Sequence, residues 1–317
     1  MKKIFNSIIV FAIAALFLAA CGSVPSTPES ASIKVLASTT FLADIAQNVA
    51  GERAKVESLL PIGADPHSYQ AAPSDVAKIS ESNVLILNGV EYEHFIETLL
   101  ENAGGERVIV EAAAGLTPRQ MEDHEGGEQA AGAESGEEHD HEAGDPHMWL
   151  DPNLVIKYVE NIRNGLIKAD PEGAEIYKAN AENYINQLKI LDAWIAEQVS
   201  QIPADRKLLV TNHEAMGYFA ERYGFEVAGS VIPSFSSNAS PSAQEMAALV
   251  DEIKSLKVPA IFLDTAENDV LAKQIADETG VMIVSGLYVE SLTDGAPAPT
   301  YIEMMKHNVS KIVEALK

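Results

Sequence analysis

The amino-acid sequence predicts an α/β protein of two lobes, each with a mainly parallel sheet flanked by helices, joined by one long rigid helix. Three observations support this fold class. Short apolar runs alternate with amphipathic segments over 33–110 and again over 208–316, as expected of parallel sheets covered on both faces. Between these regions an apolar stripe continues without a break over 177–199. About 285 of the 317 residues remain for folding after an N-terminal leader, which suits two lobes better than one.

The first 32 residues are predicted to target the chain rather than to fold. An apolar run over 8–20 follows two lysines and is too short to span a bilayer, which is typical of a signal peptide over residues 1–20. The run leads into Leu18-Ala19-Ala20-Cys21-Gly22, which resembles a bacterial lipobox, so Cys21 is the expected lipidation site. An ordinary signal peptide with a coincidental cysteine is the alternative. Because Cys21 is the one cysteine of the chain, no disulfide can form within it. Residues 21–32 are rich in Ser and Pro and are interpreted as a flexible tether.

The N-terminal lobe is assigned to residues 33–169. Thr39 and Thr40 are predicted to cap a helix that begins at about residue 41, and Asp151 to open a helix that ends near residue 168. The predicted strands are 33–38, 56–60, 84–87 and 108–110, and two further helices are predicted over 74–82 and 93–102.

An acidic segment, 121–144, is predicted to form a mobile loop within this lobe, because it has too little apolar surface to pack. Its histidines, His124, His139 and His141, could hold metal weakly and pass it inward; a solvated acidic segment that happens to contain histidine is the alternative. His94 and His307 fall in predicted helices and are expected to be surface residues.

A connecting helix is predicted over 170–201, and the C-terminal lobe over 202–317. The apolar stripe of the helix consists of Tyr177, Tyr184, Leu188, Leu191, Ile195 and Val199. At 1.5 Å per residue its two ends can lie in different lobes. In the C-terminal lobe the predicted strands are 208–210, 227–232, 260–263 and 281–284, and the predicted helices are 215–223, 242–256, 270–279 and 300–316.

The charge of the chain limits its partners. Asp and Glu outnumber Lys and Arg by 47 to 22, which gives a formal net charge of −25. Nucleic-acid binding is excluded on this basis, because nothing would neutralise the phosphates. A negative field favours the approach of small cations, although solubility alone would also explain it.

Four residues at predicted strand ends or helix starts are candidate metal ligands: His67, His147, His213 and Glu290. Ligands commonly bind at the carboxyl ends of parallel strands. His67 and His147 each follow an Asp-Pro pair, and the proline restricts the backbone before the imidazole. Three imidazoles and a carboxylate suit four-coordinate zinc. Taken singly, each histidine is better explained as a hydrogen-bonded structural residue; the repeated Asp-Pro-His and the shared placement at strand ends together favour ligands.

Several motifs resemble the metal-binding solute receptors of bacterial zinc and manganese ABC importers, the cluster A-I family. The resemblance covers nearly all of 33–317, and its most specific parts are Gly63-Ala64-Asp65-Pro66-His67-Ser68-Tyr69, Asp145-Pro146-His147-Met148-Trp149-Leu150-Asp151-Pro152, Thr211-Asn212-His213-Glu214-Ala215, 282–290 and the helix 301–309. It implies two α/β lobes, a rigid connecting helix and a metal buried between the lobes. By position, the four candidate residues match the family's four ligands.

Three positions bear on which metal the resemblance implies. At the third ligand, members associated with manganese often have Glu, whereas this chain has His213, which favours zinc. The fourth ligand is commonly Asp, and Glu290 is one methylene longer, so it could bind through one oxygen or two. A Glu-Pro-Ser/Thr-Pro stretch of the family is replaced by Asn238-Ala239-Ser240-Pro241.

The resemblance therefore implies extracytoplasmic capture of zinc (Zn²⁺) and its delivery to the permease of an ABC importer, by a protein held at the membrane through Cys21. Manganese (Mn²⁺) or iron is the alternative cargo. An enzyme is not expected: His213-Glu214 begins like a His-Glu-x-x-His motif, but Gly217 stands where the second histidine should be. A zinc-dependent hydrolase and an adhesin are the less favoured alternatives. A host with one membrane and a host with two are both compatible with these features.

Overall fold

Two four-stranded parallel sheets form the centre of the computed structural model, which describes residues 33–120, 144–266 and 268–317. The first sheet contains β1 (Val35–Ala37), β2 (Val56–Ser58), β3 (Val84–Leu87) and β4 (Val108–Glu111) in the spatial order β2-β1-β3-β4. The second contains β5 (Leu208–His213), β6 (Glu226–Ile232), β7 (Ala260–Asp264) and β8 (Met282–Leu287) in the order β6-β5-β7-β8. Every neighbouring pair is parallel. The predicted fold class is confirmed.

The central strands are buried along their whole length, whereas the edge strands are not. β1, β3, β5 and β7 contain only buried residues, while β2, β4 and β8 include exposed positions. A strand covered by helices on both faces needs apolar side chains at every position rather than at alternate ones. This explains why β3 is a continuous Val-Leu-Ile-Leu run in the sequence.

Nine α-helices are found in the described residues, and most lie within two residues of their predicted bounds. They are α1 (Thr40–Ala50), α2 (Pro73–Glu81), α3 (Ile96–Ala103), α4 (Pro152–Ala169), α5 (Ala174–Val199), α6 (Gly217–Tyr223), α7 (Ala243–Leu256), α8 (Val270–Thr279) and α9 (Tyr301–Leu316). Side-chain oxygens cap four of them by accepting a backbone N–H: Thr39 from Leu42, Asp151 from Asn153, Ser242 from Glu245 and Thr300 from Glu303.

The start of α3 differs from the prediction, which placed it at residue 93. Glu93 is buried, and its carboxylate accepts hydrogen bonds from Ser38 Oγ and from the backbone N–H groups of Asn88 and Gly89. Because Glu93 binds the end of β3 in this way, the chain turns before the helix begins at Ile96. His94 therefore lies in that turn and not in a helix.

The connecting helix α5 packs against helices of both lobes. It contacts α1 and α4 on the N-terminal side and α9 on the C-terminal side. Its 26 residues extend over about 39 Å, and the predicted stripe from Tyr177 to Val199 is buried. At its start, Arg53 donates two hydrogen bonds to Asp170, at 2.6 and 2.9 Å, and Tyr177 donates a third. The helix thus extends the apolar core from one lobe into the other.

Some predictions fall outside the described residues. These are the signal peptide over 1–20, lipidation of Cys21, the tether over 21–32, and the loop residues His124, His139 and His141. Residues 33–317 cluster as one compact unit, so the lobe boundaries at 169/170 and 201/202 remain predictions. Within the described residues no helix is long and apolar enough to cross a membrane.

Candidate metal centre

His67 is presented by a turn that follows β2. Asp65 organises this turn, because its carboxylate accepts from the backbone N–H of His67 at 2.9 Å and from Ser68 Oγ at 3.0 Å. The same carboxylate accepts a hydrogen bond at 2.8 Å from Oγ of Ser237, which is a residue of the C-terminal lobe. The turn that carries the first histidine is therefore tied to the opposite lobe.

His147 is held by Asp145 through two hydrogen bonds. Asp145 Oδ1 accepts from the backbone N–H of His147 at 2.9 Å and lies 2.8 Å from ring Nδ1. Since the carboxylate accepts the Nδ1 proton, the lone pair is on Nε2, the nitrogen available to a metal. Asp145 is itself fixed, because its N–H donates to Arg119 O at 2.8 Å and its carbonyl accepts from Tyr218 at 2.8 Å.

The repeated Asp-Pro-His motif thus acts mainly through its aspartate. At both sites the carboxylate accepts the N–H of the histidine two residues later, at 2.9 Å. The sequence interpretation gave this role to the proline and missed Asp65 and Asp145. The repetition of the aspartate at the same spacing was the signal that could have identified it.

The other two donors come from the C-terminal lobe. His213 is the last residue of β5, which extends three residues beyond the predicted strand 208–210. Glu290 follows β8, and its backbone N–H donates to Asp264 at 3.4 Å, as does that of Val289 at a shorter distance. Trp149 Nε1 donates to Val289 O at 3.0 Å, which joins this loop to the N-terminal lobe.

The structure brings His67, His147, His213 and Glu290 together, with one donor atom of each within 4.8 Å of the others. Glu290 Oε1 lies 3.2 Å from His147 Nε2, 3.4 Å from His213 Nε2 and 3.7 Å from His67 Nε2, and the first two of these nitrogens are 3.1 Å apart. A tetrahedral ion with bonds of 2.0–2.1 Å requires donor atoms about 3.3 Å apart. The side chains are at most 2% exposed. One ion therefore fits among the four atoms.

Tyr92 makes the two carboxylate oxygens of Glu290 different, because it binds only one of them. Its hydroxyl donates a hydrogen bond to Oε2, while Oε1 faces the imidazoles and has no hydrogen-bond partner among the described residues. The pKa of Tyr92 is raised well above its usual value by burial and by the charge of Glu290, so the hydroxyl stays protonated and donates. Oε1 is left as the oxygen available to a cation.

Ionisation differs among the four donors. Burial alone would raise the pKa of Glu290, but the three imidazoles that surround Oε1 outweigh it and hold the pKa well below the usual value. Burial lowers the pKa of His67, against the opposing effect of Glu290. For His147, burial is outweighed by the hydrogen bond to Asp145 and by the nearby carboxylate of Glu290, and the pKa is raised. The cluster thus has an ionised carboxylate, and protons compete for the free lone pair of His147 more strongly than for that of His67.

Gly217 has a structural role beside this cluster. A Cβ atom at this position would lie 3.0 Å from Arg119 Nε and 3.1 Å from Asp145 Oδ2. The glycine at the start of α6 therefore leaves room for the carboxylate that orients His147. His307, expected at the surface, is half-buried, with Nε2 2.8 Å from Gly286 O.

Comparison with known proteins gives consistent matches over the whole folded region. The family model described as "Zinc-uptake complex component A periplasmic" matches residues 35–315. The manganese-binding lipoprotein MntA of Halalkalibacterium halodurans is 35% identical, over 100% of this chain and 99% of its own length. The iron-binding protein YfeA of Yersinia pestis is 34% identical, over 89% of this chain and 85% of its own.

The fold comparison agrees with the sequence matches. The periplasmic zinc-binding protein TroA of Treponema pallidum superposes with a TM-score of 0.76 and 27% identity, covering 90% of this chain and 99% of that structure. The names of these three similar proteins specify three different metals, manganese, iron and zinc.

Proposed function

The chain belongs to the zinc-uptake component A family, the metal-binding receptors of ABC importers, and on this premise we propose that it captures zinc outside the cytoplasm and delivers it to a membrane permease. Members of this family are solute-binding proteins of transporters and not enzymes. The alternatives left open for this chain concern the metal and the mode of anchoring.

One observation carries the proposal: four donor atoms from both lobes converge in a buried cluster. With four protein ligands, a tetrahedral ion has no open position for an activated water, as a zinc hydrolase would need. Oε1 of Glu290 and the nitrogens of His67 are buried without hydrogen-bond partners in residues 33–120, 144–266 and 268–317, which is costly for polar atoms unless a ligand fills the space between them. The cluster is thus suited to sequestering an ion rather than to catalysis.

The chemistry of the donors favours zinc over manganese. Three imidazoles and a single carboxylate oxygen are borderline-soft donors, which suit zinc, whereas manganese prefers sites richer in oxygen. Tyr92 occupies the second oxygen of Glu290, so the carboxylate binds through one atom and the coordination number stays at four. Manganese, named for MntA, and iron, named for YfeA, are the alternative cargoes.

Anchoring through Cys21 completes the proposed function. MntA and the other lipoproteins matched over the full length of the chain support a lipidated N-terminus and an extracytoplasmic location. The permease of the importer is the proposed protein partner. A weak metal role for His124, His139 and His141 remains a separate prediction, and nothing in the described residues favours adhesion.

A metal competition on the purified protein tests this function. The protein is stripped of metal, and its affinity for Zn²⁺ and Mn²⁺ is measured by chelator competition, with stoichiometry from native mass spectrometry. We expect one tight Zn²⁺ per chain, displaced poorly by Mn²⁺ and lost in His67→Ala. A preference for Mn²⁺ over Zn²⁺ would move the assignment to a manganese receptor, because the Irving–Williams order favours zinc. If no ion binds tightly, the four-ligand site is wrong.

A further inference from the structure

A small cavity lies between the donor cluster and the protein surface. Its volume is about 20 Å³, and His67 and Tyr92 line its inner part. Glu91 and His94 line the same cavity and are exposed to solvent, whereas the side chain of His67 is 2% exposed. The cavity therefore leads from exposed donor groups to a buried candidate ligand.

His67 is the candidate ligand least anchored by hydrogen bonds to its ring. In the part of the chain that the structure describes, neither Nδ1 nor Nε2 has a hydrogen-bond partner, in contrast to His147, whose Nδ1 is bound by Asp145. Metal-binding histidines usually donate the second nitrogen to a carboxylate or carbonyl group, which fixes the ring. The imidazole that lines the cavity is thus the one most free to turn towards an ion in it.

The backbone beside the cavity has an uncommon conformation. Gly89, Val90 and Glu91 have positive φ angles of 85°, 57° and 53°, and Val90 is β-branched, a residue type that rarely adopts this region. Glu93 holds the segment by accepting from the N–H groups of Asn88 and Gly89. Strain of this kind persists where the surrounding structure enforces it, often at ligand sites. Here the backbone conformation of residues 89–91 places Glu91 at the surface.

The volume of the cavity constrains what can pass. A space of about 20 Å³ holds roughly one water molecule, so a divalent ion with its full hydration shell does not fit. The ion must lose water before it reaches His67. A carboxylate and an imidazole at the entrance can replace those water molecules, and both are ligands of first-row divalent metals.

We propose that Glu91 and His94 form a transient first-contact site, at which a divalent transition-metal ion exchanges water for protein ligands before passing to His67. This inference rests on the proposed metal-capture function. It assigns to two residues outside the four-donor cluster a role in the rate of capture and not in the final bound state. Residues on a shared path lower the barrier for entry and exit alike.

Stopped-flow kinetics with Zn²⁺ and a chromogenic chelator test the proposal in the double variant Glu91→Gln/His94→Gln. We expect association to slow by at least about fivefold, since local charge raises the association rates of cations. Dissociation should slow by the same factor, so the equilibrium Kd stays within about twofold of wild type. The matched control is Glu101→Gln, which removes one exposed charge from α3, away from the cavity; its rates should not change.

Each outcome distinguishes the two proposals. Tight 1:1 binding by the wild type, with unchanged rates in the double variant, would overturn the first-contact site and leave the proposed function intact. If association slows equally in Glu101→Gln, the effect comes from the overall charge of the protein and not from the cavity entrance, which would also overturn the first-contact site. A weaker Kd caused by faster dissociation would show that Glu91 or His94 stabilises the bound state, contrary to the proposal. No tight binding by the wild type would overturn both proposals.

Discussion

The two sheets share one strand order but present their candidate ligands differently. In the C-terminal sheet, His213 ends the central strand β5, at the carboxyl edge where ligands usually bind. Ser38, which directly follows β1 in the N-terminal sheet, donates instead to Glu93. His67 and His147 of that lobe come instead from a turn and from the segment before α4.

What the two lobes do share is a buried carboxylate near the end of the third strand in sequence order. Glu93, beyond β3, accepts the N–H groups of Asn88 and Gly89, and Asp264, at the end of β7, accepts those of Val289 and Glu290. In each lobe a carboxylate at or beyond the third strand therefore binds backbone N–H groups, while the candidate donors are placed by loops that differ. The repeated topology determines where a crevice lies but not which residues fill it.

The largest expected effect on zinc affinity comes from removing the charge of Glu290, the candidate donor of the C-terminal lobe that carries a negative charge. Glu290→Gln keeps the shape of the side chain but leaves four neutral donors. We expect zinc affinity to fall by more than about a hundredfold, since four ligands share roughly 10–16 kcal/mol of binding free energy. Glu290→Asp is the matched control that keeps the charge and should lose less. Chelator competition measures both, and equal losses would contradict a dominant role for the charge.

A smaller effect is expected from Asp145→Asn in the N-terminal lobe. The substitution weakens the support of the His147 ring, and we expect a loss of affinity of about 10–100-fold. Asp65→Asn is the matched variant, because Asp65 binds only the backbone of its histidine, and its loss should be smaller. Isothermal titration calorimetry at neutral pH compares the two, and a larger loss in Asp65→Asn would reverse this assignment.

Asp145→Asn should also alter the pH dependence of zinc binding. In the wild type the raised pKa of His147 means that protons compete with zinc from near neutral pH downwards, so affinity falls as pH falls. Asp145→Asn removes a cause of the raised pKa, and the fall should therefore begin at lower pH. Titrations between pH 5 and pH 8, chosen around the usual histidine value of about 6.5, measure the shift. Identical profiles for both proteins would contradict it.

Glu93→Gln should change stability more than affinity. Burial raises the pKa of Glu93 from 4.5 to about 7, although its hydrogen bonds oppose the shift. Because the pKa of Glu93 is higher in the folded state than in the unfolded state, the protonated carboxyl adds to the free energy of unfolding. This contribution is fully present below the unfolded-state pKa of 4.5 and is lost as pH rises through about 7. Relative to Glu93→Gln, the wild type should lose about 1–3 kcal/mol of unfolding free energy as pH rises across this window. Urea unfolding of the metal-free proteins measures the difference; a constant difference across pH would contradict it.

The smallest effect is expected from deletion of residues 121–143. Arg119 and Asp145, on either side of this segment, form an antiparallel bridge that brings its two ends together. A short join can therefore close the gap while Asp145 keeps its contacts with His147. Zinc affinity should change by less than about threefold, measured by the same competition. A larger loss would indicate that the segment supports the centre directly.

Most of the secondary structure could be predicted from local patterns in the sequence. The buried run of β3, the stripe of α5 and the caps Thr39 and Asp151 are local signals, and each is found where it was predicted. The start of α3 could not be predicted, because it depends on contacts of Glu93 with residues far away in sequence.

The candidate ligands could be named from the sequence, but their support could not. Spacing and resemblance indicated four candidate donors, and the structure places these four side chains together. Tyr92 and Asp264 were missed because each acts across the fold, on residues 198 and about 25 positions away. Their roles depend on how the lobes meet, which no local pattern contains. The identity of the metal remains a prediction from the donor types.

Trp149 provides the protein with an internal optical reporter. Its indole stacks on Phe41 at 4.4 Å between ring centroids, lies 5.1 Å from the ring of His147 and donates to the backbone beside Glu290. The emission of this fluorophore depends on the imidazole next to it and on the loop of the opposite lobe. The chain contains two tryptophans, so Trp194→Phe would leave Trp149 as a single emitter. Arrival of a metal and separation of the lobes could then be followed as changes in intensity and wavelength, without any attached label.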